Sequence, residues 1–461
     1  MTVTKLKELL IPGCRAHLVG IGGVSMFPLA QVLRGRGIVV TGSDFNEENA
    51  NVQHLKQEGV TVFIGHHPEN VENAELVIRT AAVHDDNPEI AAAREKGIPV
   101  FERAEAWGAL MQDYRHALCI SGTHGKTSTT SMATHIIMAA GMDPTVMIGA
   151  NLPLLGSGYR VGSGDTIILE SCEYCNSFLS FRPTTAVILD IEADHLDFFK
   201  DLADIERSFR AFANLVPRDG MVIASADDRN TMDTLDDLDR PLITFGLGPY
   251  ADVYCEHLSW SQGVPSFDLM NDGKKVCRIE LSVPGLYNVK NALAASAAAL
   301  TMGVNPAAIA RGLKEYTGAE RRFEYKGEYH GAKVYDDYAH HPSEIRSLLE
   351  SAHTLGYNRI ICAFQPHTYS RTKALFPDFV QELSQADITL VADVFAARET
   401  DTLGVSSKDL ADRIPHGEYC PTVEDVERRL KELARPGDLI LTVGAGLMNL
   451  AAEKLVSENE A

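Results

Sequence analysis

The sequence predicts an α/β protein of three domains, each built around a parallel sheet. Three observations carry that reading. A short apolar run followed by glycines and then a helical pattern is how a parallel βαβ unit reads, and here it starts over three times. The 461 residues are more than one hydrophobic core usually serves. Hydrophobic residues make up 45% of the chain, enough to fill several cores, which excludes wholesale disorder.

The first unit opens with AHLVG at 16–20, turns through Gly20, Gly22 and Gly23, and enters a helix near Ser25–Arg34. A second strand, IVVTGSD, follows at 38–44 and ends on Asp44. Gly20-x-Gly22-x-x-Ser25 between strand and helix has the form of a dinucleotide fingerprint. Bare glycines let the backbone approach a diphosphate, the helix N-terminus supplies N–H groups, and an acid about 20 residues on can hold a ribose hydroxyl. Serine at the third position departs from that form, and a tight turn without a ligand is the other reading. A Rossmann-like domain over residues 1–107 is expected.

The second unit opens with HALCIS at 116–121 and runs into Gly122-Thr123-His124-Gly125-Lys126-Thr127-Ser128. This is a phosphate loop with two residues between its glycines instead of four. Gly125 lets amides face phosphates, Lys126 neutralises their charge, and the Thr127 hydroxyl can ligate Mg²⁺. A helix from Lys126 to about Ala140 should follow, then strands DTIILE at 165–170 and TTAVILDI at 184–191. These place a central P-loop ATPase-like domain at 108–318. Glu173 and His195 each follow one of those strands, at the edge where α/β sheets bind ligands, which makes them candidate metal ligands beside Thr127. Cys172-x-x-Cys175 flanks Glu173. With no second pair to complete four zinc ligands, it reads as two reduced thiols at a core edge.

The third unit, 319–461, opens with AKVYDDYAHHPSEI at 332–345, and RIICAF (359–364), ITLVADVF (388–395) and DLILTVGAG (438–446) follow as strands. DDYAHHP at 336–342 reads as a metal site, a catalytic base or a polar loop, and alone decides nothing. Against 42 Lys and Arg stand 63 Asp and Glu, a net charge of −21 that disfavours sequence-independent nucleic-acid binding but not anionic small molecules. No secretory signal is recognisable and no apolar run approaches ~18 residues, so no membrane partner is expected. Eight scattered cysteines suit a reduced, cytoplasmic setting.

Seven segments taken together resemble the Mur ligases, in that family's order and over essentially the whole chain. They are HLVGIGGVSM (17–26), GTHGKTSTT (122–130), IEADHLD (191–197), PGLYNVKNALAA (284–295), RRFE (321–324), DDYAHHPSE (336–344) and FQPHTYSRT (364–372). The resemblance implies a Rossmann-like C-terminal domain and an ATP- and Mg²⁺-dependent amide-forming ligase of peptidoglycan precursor synthesis. The implied substrates are UDP-N-acetylmuramate and L-alanine, joined through an acyl phosphate. A recycling ligase that attaches a ready-made tripeptide to the same sugar acid is the alternative within the family, but its C-terminal loop lacks QPHTYSR.

Position by position, the resemblance implies that Gly20, Gly22, Gly23, Ser25 and Asp44 hold UDP. It implies that Gly122, Thr123, His124, Gly125, Lys126, Thr127 and Ser128 hold the ATP phosphates, and Asn288 and Asn291 the adenine. Arg322 and Asp337 reach the nucleotide from the third domain, and Thr127, Glu173 and His195 hold magnesium. Lys126 is catalytic, and His340, His341 and Arg371 face the amino-acid side. One of the two imidazoles is the expected base, with the ordinary histidine pKa near ~6.5. Cys172 and Cys175 stand where two aspartates are common, Tyr287 where histidine is usual, and Thr368 where some members have arginine. No residue matches the carbamylated lysine of some relatives. Two other classes stay open: an NAD-dependent oxidoreductase built on the first domain, and an ATP-gated sensor that binds UDP-sugar without consuming it.

Overall fold

The computed structural model describes residues 3–397, 399–400 and 403–459. The first sheet holds β1 (Arg15–Val19), β2 (Val39–Asp44), β3 (Thr61–Ile64), β4 (Leu76–Arg79) and β5 (Val100–Glu102) in the order 3-2-1-4-5, all parallel. The expected helix begins at Met26, with Ser25 at its N-cap but making no side-chain cap bond. Helix Arg103–Met111 runs through position 107, and the chain enters the next sheet at His116.

The central sheet is built from β6 (His116–Ser121), β7 (Thr145–Leu152), β8 (Ser157–Arg160), β9 (Thr166–Glu170) and β10 (Thr185–Ile188). It continues with β11 (Met221–Ser225), β12 (Leu242–Gly246), β13 (Val253–Ser261), β14 (Val264–Asn271) and β15 (Lys274–Glu280). The order is 15-14-13-12-11-10-6-9-7-8. Seven strands from β13 to β7 run parallel; β8 at one edge and the β14–β15 hairpin at the other are antiparallel. These antiparallel additions lie outside the expected parallel pattern. Because β6 sits between β9 and β10, the loops leaving these three strands open at one sheet edge, where such folds bind ligands.

In the third sheet, β16 (Glu324–Tyr329), β17 (Ala332–Asp337), β18 (Arg359–Phe364), β19 (Ile388–Val391), β20 (Gly417–Tyr419) and β21 (Asp438–Val443) take the order 16-17-21-18-19-20. Only β16 is antiparallel. The run ITLVADVF ends as a strand at Val391, and Phe395 returns as an isolated bridge to His367. Among the described residues no helix is long and apolar enough to cross a membrane.

Helix Lys126–Ala139 begins at the phosphate loop and is buried on almost every side. Its Ser/Thr-rich sequence tolerates this because the hydroxyls bond carbonyls one turn back: Thr130 to Lys126 (2.7 Å), Ser131 to Thr127 (2.8 Å) and Thr134 to Thr130 (2.8 Å). A Cβ at Gly312 would stand 2.6 Å from the Ile136 Cα, so that glycine lets helix Pro306–Glu315 approach closely.

The first two domains share one continuous apolar core. Trp107 of the first domain belongs to the same cluster as Phe178, Phe209 and Phe212 of the second, and Phe178 stacks on Phe212 with centroids 4.5 Å apart. A Cβ at Gly108 would lie 2.0 Å from the Ser180 carbonyl oxygen. Gly108→Ala should therefore destabilise the protein by about 1–3 kcal/mol as the helix is forced off its seat. An unchanged thermal melt would show that the interface can yield. The third domain has separate clusters on its sheet's two faces and meets the second largely through polar groups. Polar contact of this kind between separate cores is the sort across which domains shift relative to one another.

Candidate functional site

A cleft of about 850 Å³ lies between the second and third domains, floored by the phosphate loop. Positive φ at Gly122 (146°) and Gly125 (77°) curls this loop, and a Cβ at either would strike Leu189 or Asn291. Asp190 pins it from β10's end, accepting the His124 N–H on its carboxylate (2.8 Å) and the Thr123 N–H on its carbonyl (3.1 Å). Burial pushes the Asp190 carboxyl up to about 6 against the opposing charge of His124.

Lys126 Nζ donates to the Gly122 (2.5 Å) and Thr123 (3.0 Å) carbonyls and lies 3.1 Å from Glu173 Oε2. Burial works against its charge, but Glu173 and Glu170 more than offset this and hold the ammonium above its ordinary value. The Thr127 hydroxyl donates to Glu170 Oε1 at 3.0 Å, and Arg322 reaches it from the third domain at 3.3 Å. His195 Nε2 is 3.7 Å from Glu173 Oε1. So the structure brings Glu173 and His195 together, sets Thr127 beside Glu170 instead, and balances Glu173 with the Lys126 ammonium. Two carboxylates, a hydroxyl and an imidazole beside a phosphate-binding turn fit Mg²⁺, which prefers oxygen donors and completes its shell with phosphate and water.

Ser128, Asn288, Asn291 and Asp337 also line the cleft. Thr129 donates to Asn291 Oδ1 (3.2 Å), and Asn291 donates to Asn288 (3.3 Å), tying helix Leu286–Thr301 to the P-loop helix. Asp337 accepts the Phe323 and Ala339 N–H groups at 2.7 and 2.8 Å, and burial pushes it up to about 6 against the Arg322 charge. Arg321 and Phe323 adopt left-handed φ of 57° and 50° around Arg322. Arg321 is anchored on Asp336 (2.9 Å), which leaves Arg322 to cross into the cleft.

His124 lines the cleft and also joins the two domains. Its ring lies between Glu192 of the second domain (3.2 Å) and Glu344 of the third (3.1 Å), and Ser343 donates to Glu192 at 2.7 Å. Burial lowers this imidazole, but Asp190, Glu192 and Glu344 together raise it well above 6.5. Burial likewise resists ionisation of Glu192, which the His124 bond still brings down to about 2. A raised histidine contributes fully below its unfolded pKa and loses that contribution as pH climbs through the folded value; Glu344, held well below 4.5, loses its share only in acid. Domain docking should therefore weaken on the alkaline side. Scattering profiles across pH should show wild type expanding where His124→Gln stays flat; identical profiles would dismiss the latch.

His340 faces the cleft, whereas His341 does not line it. His341 caps helix Pro342–His353, where its Nδ1 meets the Ser343 hydroxyl at 2.6 Å. The expected ordinary imidazole is corrected in both cases. Burial pushes His340 down to about 4, aided by Arg371 against Glu344, and burial with the nearby His124 also lowers His341. His340 is therefore neutral at pH 7, and His341 is shifted in the same direction. Arg371 makes two bonds to Asp194 Oδ1, at 2.8 and 3.1 Å, and holds His367 Nδ1 at 3.1 Å. The loop delivering it turns at Thr368, a β-branched residue at φ 66°.

None of Gly20, Gly22, Gly23, Ser25 and Asp44 lines this cleft. Asp44 braces its own turn, accepting the Gly22 N–H on one oxygen (2.9 Å) and the Asn46 N–H on the other (3.1 Å). A Cβ at Gly22 would meet Val52 at 2.7 Å, so packing alone requires that glycine. Beside the turn, Phe45 is 75% exposed and stands edge-on to His66, with ring centroids 4.3 Å apart. Cys172 and Cys175 are exposed rather than packed at a core edge, and Cys172 opens onto the cleft.

Sequence reasoning passed over Glu170, Asp190, Glu192, Asp194, Glu344 and His367. Glu170 was readable as the polar residue closing an apolar strand run, and Glu344 as the third helical residue of a capping box.

Three family models match the chain in order: Mur ligase family, catalytic domain (residues 15–115); Mur ligase middle domain (120–299); and Mur ligase, glutamate ligase domain (321–446). The chain is 44% identical over 451 residues to a UDP-N-acetylmuramate–L-alanine ligase of Caldanaerobacter subterraneus subsp. tengcongensis, covering 97% of this chain and 98% of that protein. It is 45% identical over 447 residues to the same-named ligase of Lachnospira eligens, covering 95% and 97%. Among solved structures, UDP-N-acetylmuramate-alanine ligase MurC from Thermotoga maritima aligns with a TM-score of 0.80 at 28% identity, over 97% of this chain and 99% of that one. A murein peptide ligase from Psychrobacter arcticus aligns at 0.70 and 25%, over 96% and 98%. With three matched domains in sequence and relatives of this identity across nearly the full length, the chain belongs to the Mur ligase family.

Proposed function

We propose that the protein is an ATP-dependent ligase that joins L-alanine to the carboxylate of UDP-N-acetylmuramate through an acyl phosphate, in cytoplasmic peptidoglycan precursor synthesis. The names of its near-full-length relatives support the substrates. The observation that carries the chemistry is the meeting of Lys126 and Thr127 with Arg322, Arg371 and His340 across one cleft.

A carboxylate does not condense with an amine at neutral pH, because its oxygen is a poor leaving group. Bringing it to a triphosphate sets anion against anion, so preplaced cations are the main requirement. Lys126 and Arg322 meet that need at the phosphates. Arg371 offers a cation to the amino acid's carboxylate, and neutral His340 an acceptor beside it. Glu173 and His195, with Thr127 and Glu170 adjacent, would hold Mg²⁺, which when bound offsets charge on the phosphates. Docking of the third domain shields the activated acyl group from water. The turn at Gly20–Gly23 is the proposed UDP site.

The test offers UDP-N-acetylmuramate, ATP and Mg²⁺ with L-alanine, glycine, L-serine or the tripeptide, and follows ADP. Release that depends on both the sugar nucleotide and L-alanine is expected. Preference for the tripeptide would move the protein to the recycling ligases, and ligand binding without ADP would make it a sensor.

A further inference from the structure

We propose that Cys172, Glu173 and His195 form a binding site for a thiophilic divalent cation of the Zn²⁺ type, set against the phosphate loop. Cys172 and Glu173 follow β9 and His195 follows β10, so two loops from either side of β6 converge there. One sulfur, one carboxylate oxygen and one imidazole nitrogen all lie within 4.8 Å of one another. Tetrahedral zinc with bonds of 2.0–2.3 Å holds its ligand atoms roughly 3.5 Å apart, a contraction that small side-chain rotations supply.

The ligand types decide which ion fits. Mg²⁺ wants hard donors, mostly oxygens, at short, regular distances and gains little from sulfur. Sulfur, nitrogen and oxygen together suit zinc or cobalt, with the open cleft supplying water as a fourth ligand. Glu173 is almost wholly buried, its charge now balanced by Lys126 at 3.1 Å. An incoming cation takes over that balance while Lys126 keeps its bonds to the Gly122 and Thr123 carbonyls. On binding, the Cys172 S–H bond breaks, a sulfur–metal bond forms and the proton passes to solvent; nothing is oxidised. Glu173 and His195 are also the proposed magnesium ligands, so the two ions exclude one another and zinc acts as an inhibitor. That inhibition rests on the ligase reading, but the site itself does not, because it is read without substrates.

The experiment titrates Co²⁺ into the nucleotide-free, full-length protein under reducing, anaerobic conditions. A saturable thiolate-to-cobalt charge-transfer band should appear in the near-ultraviolet at one ion per chain, and Zn²⁺ should abolish it. Cys172→Ser should lose the band and weaken Zn²⁺ binding by at least about tenfold, the lower end for disturbing a metal's surroundings. Cys175→Ser should keep both. His195→Gln, which retains the thiol, should weaken Zn²⁺ by a similar factor. Absence of the band in wild type, its persistence in Cys172→Ser, or undiminished Zn²⁺ affinity in His195→Gln overturns the site.

Discussion

Lys126→Ala should lower kcat by about 10²–10³-fold, the scale on which removing one preorganised electrostatic group acts. The ammonium is held by partners of its own loop. It is fixed by the Gly122 and Thr123 carbonyls and stands 3.1 Å from a Glu173 carboxylate that is 3% exposed. Those carbonyls hold it in place whether Glu173 or a phosphate oxygen is its partner, so little reorganisation is needed when the triphosphate arrives. Removing it takes a cation from the phosphates and leaves Glu173 buried and unpaired. Lys126→Arg should rescue only part of the loss, because a planar fork does not fit between two carbonyls spaced for a point charge. Steady-state ADP release with all three substrates measures the effect. Turnover of Lys126→Ala within about threefold of wild type would break the assignment.

How far this site was legible depends on where each residue's signal resides. HALCIS and RIICAF became β6 and β18 at their expected limits, because parallel strands covered on both faces read as unbroken apolar runs. The β14–β15 hairpin escaped because its exposed edge residues break that pattern. The phosphate loop was readable because its glycines and lysine fall within one short stretch, 122–126. Contacts across the cleft were not: His124 meets Glu344 across 220 positions, Asp194 meets Arg371 across 177, and Glu192 meets Ser343 across 151. Nothing in the local pattern of one domain says which loop of another will face it. Choosing between His340 and His341 likewise required knowing that the helix starts at Pro342, which makes the second imidazole a cap.

Arg371→Ala should have the other large effect, because it breaks the most enclosed ion pair between the second and third domains. Both side chains of the Arg371–Asp194 pair are only 10% exposed. Burial resists ionisation of Asp194, yet the Arg371 charge wins and holds the carboxyl far below the usual carboxylate range. A depressed carboxylate contributes at every pH above its unfolded value and fails only when acid reaches the folded one, so this contact should persist at alkaline pH where the His124 latch weakens. Deleting one partner of a buried pair leaves the other uncompensated, a loss of about 3–5 kcal/mol. Spread over docking and L-alanine capture, that is on the order of 10²–10³-fold in kcat/KM for the amino acid. A double-mutant cycle separates the two roles. If Arg371 mainly docks the domain, Asp194→Asn should recover much of the loss in the Arg371→Ala background, since no buried charge is then stranded. If Arg371 mainly holds the alanine carboxylate, the double variant should stay as poor as Arg371→Ala, with a raised KM for L-alanine and domain scattering like that of wild type. Wild-type kinetics in Arg371→Ala would remove both roles and leave Asp194 needing a different counter-ion.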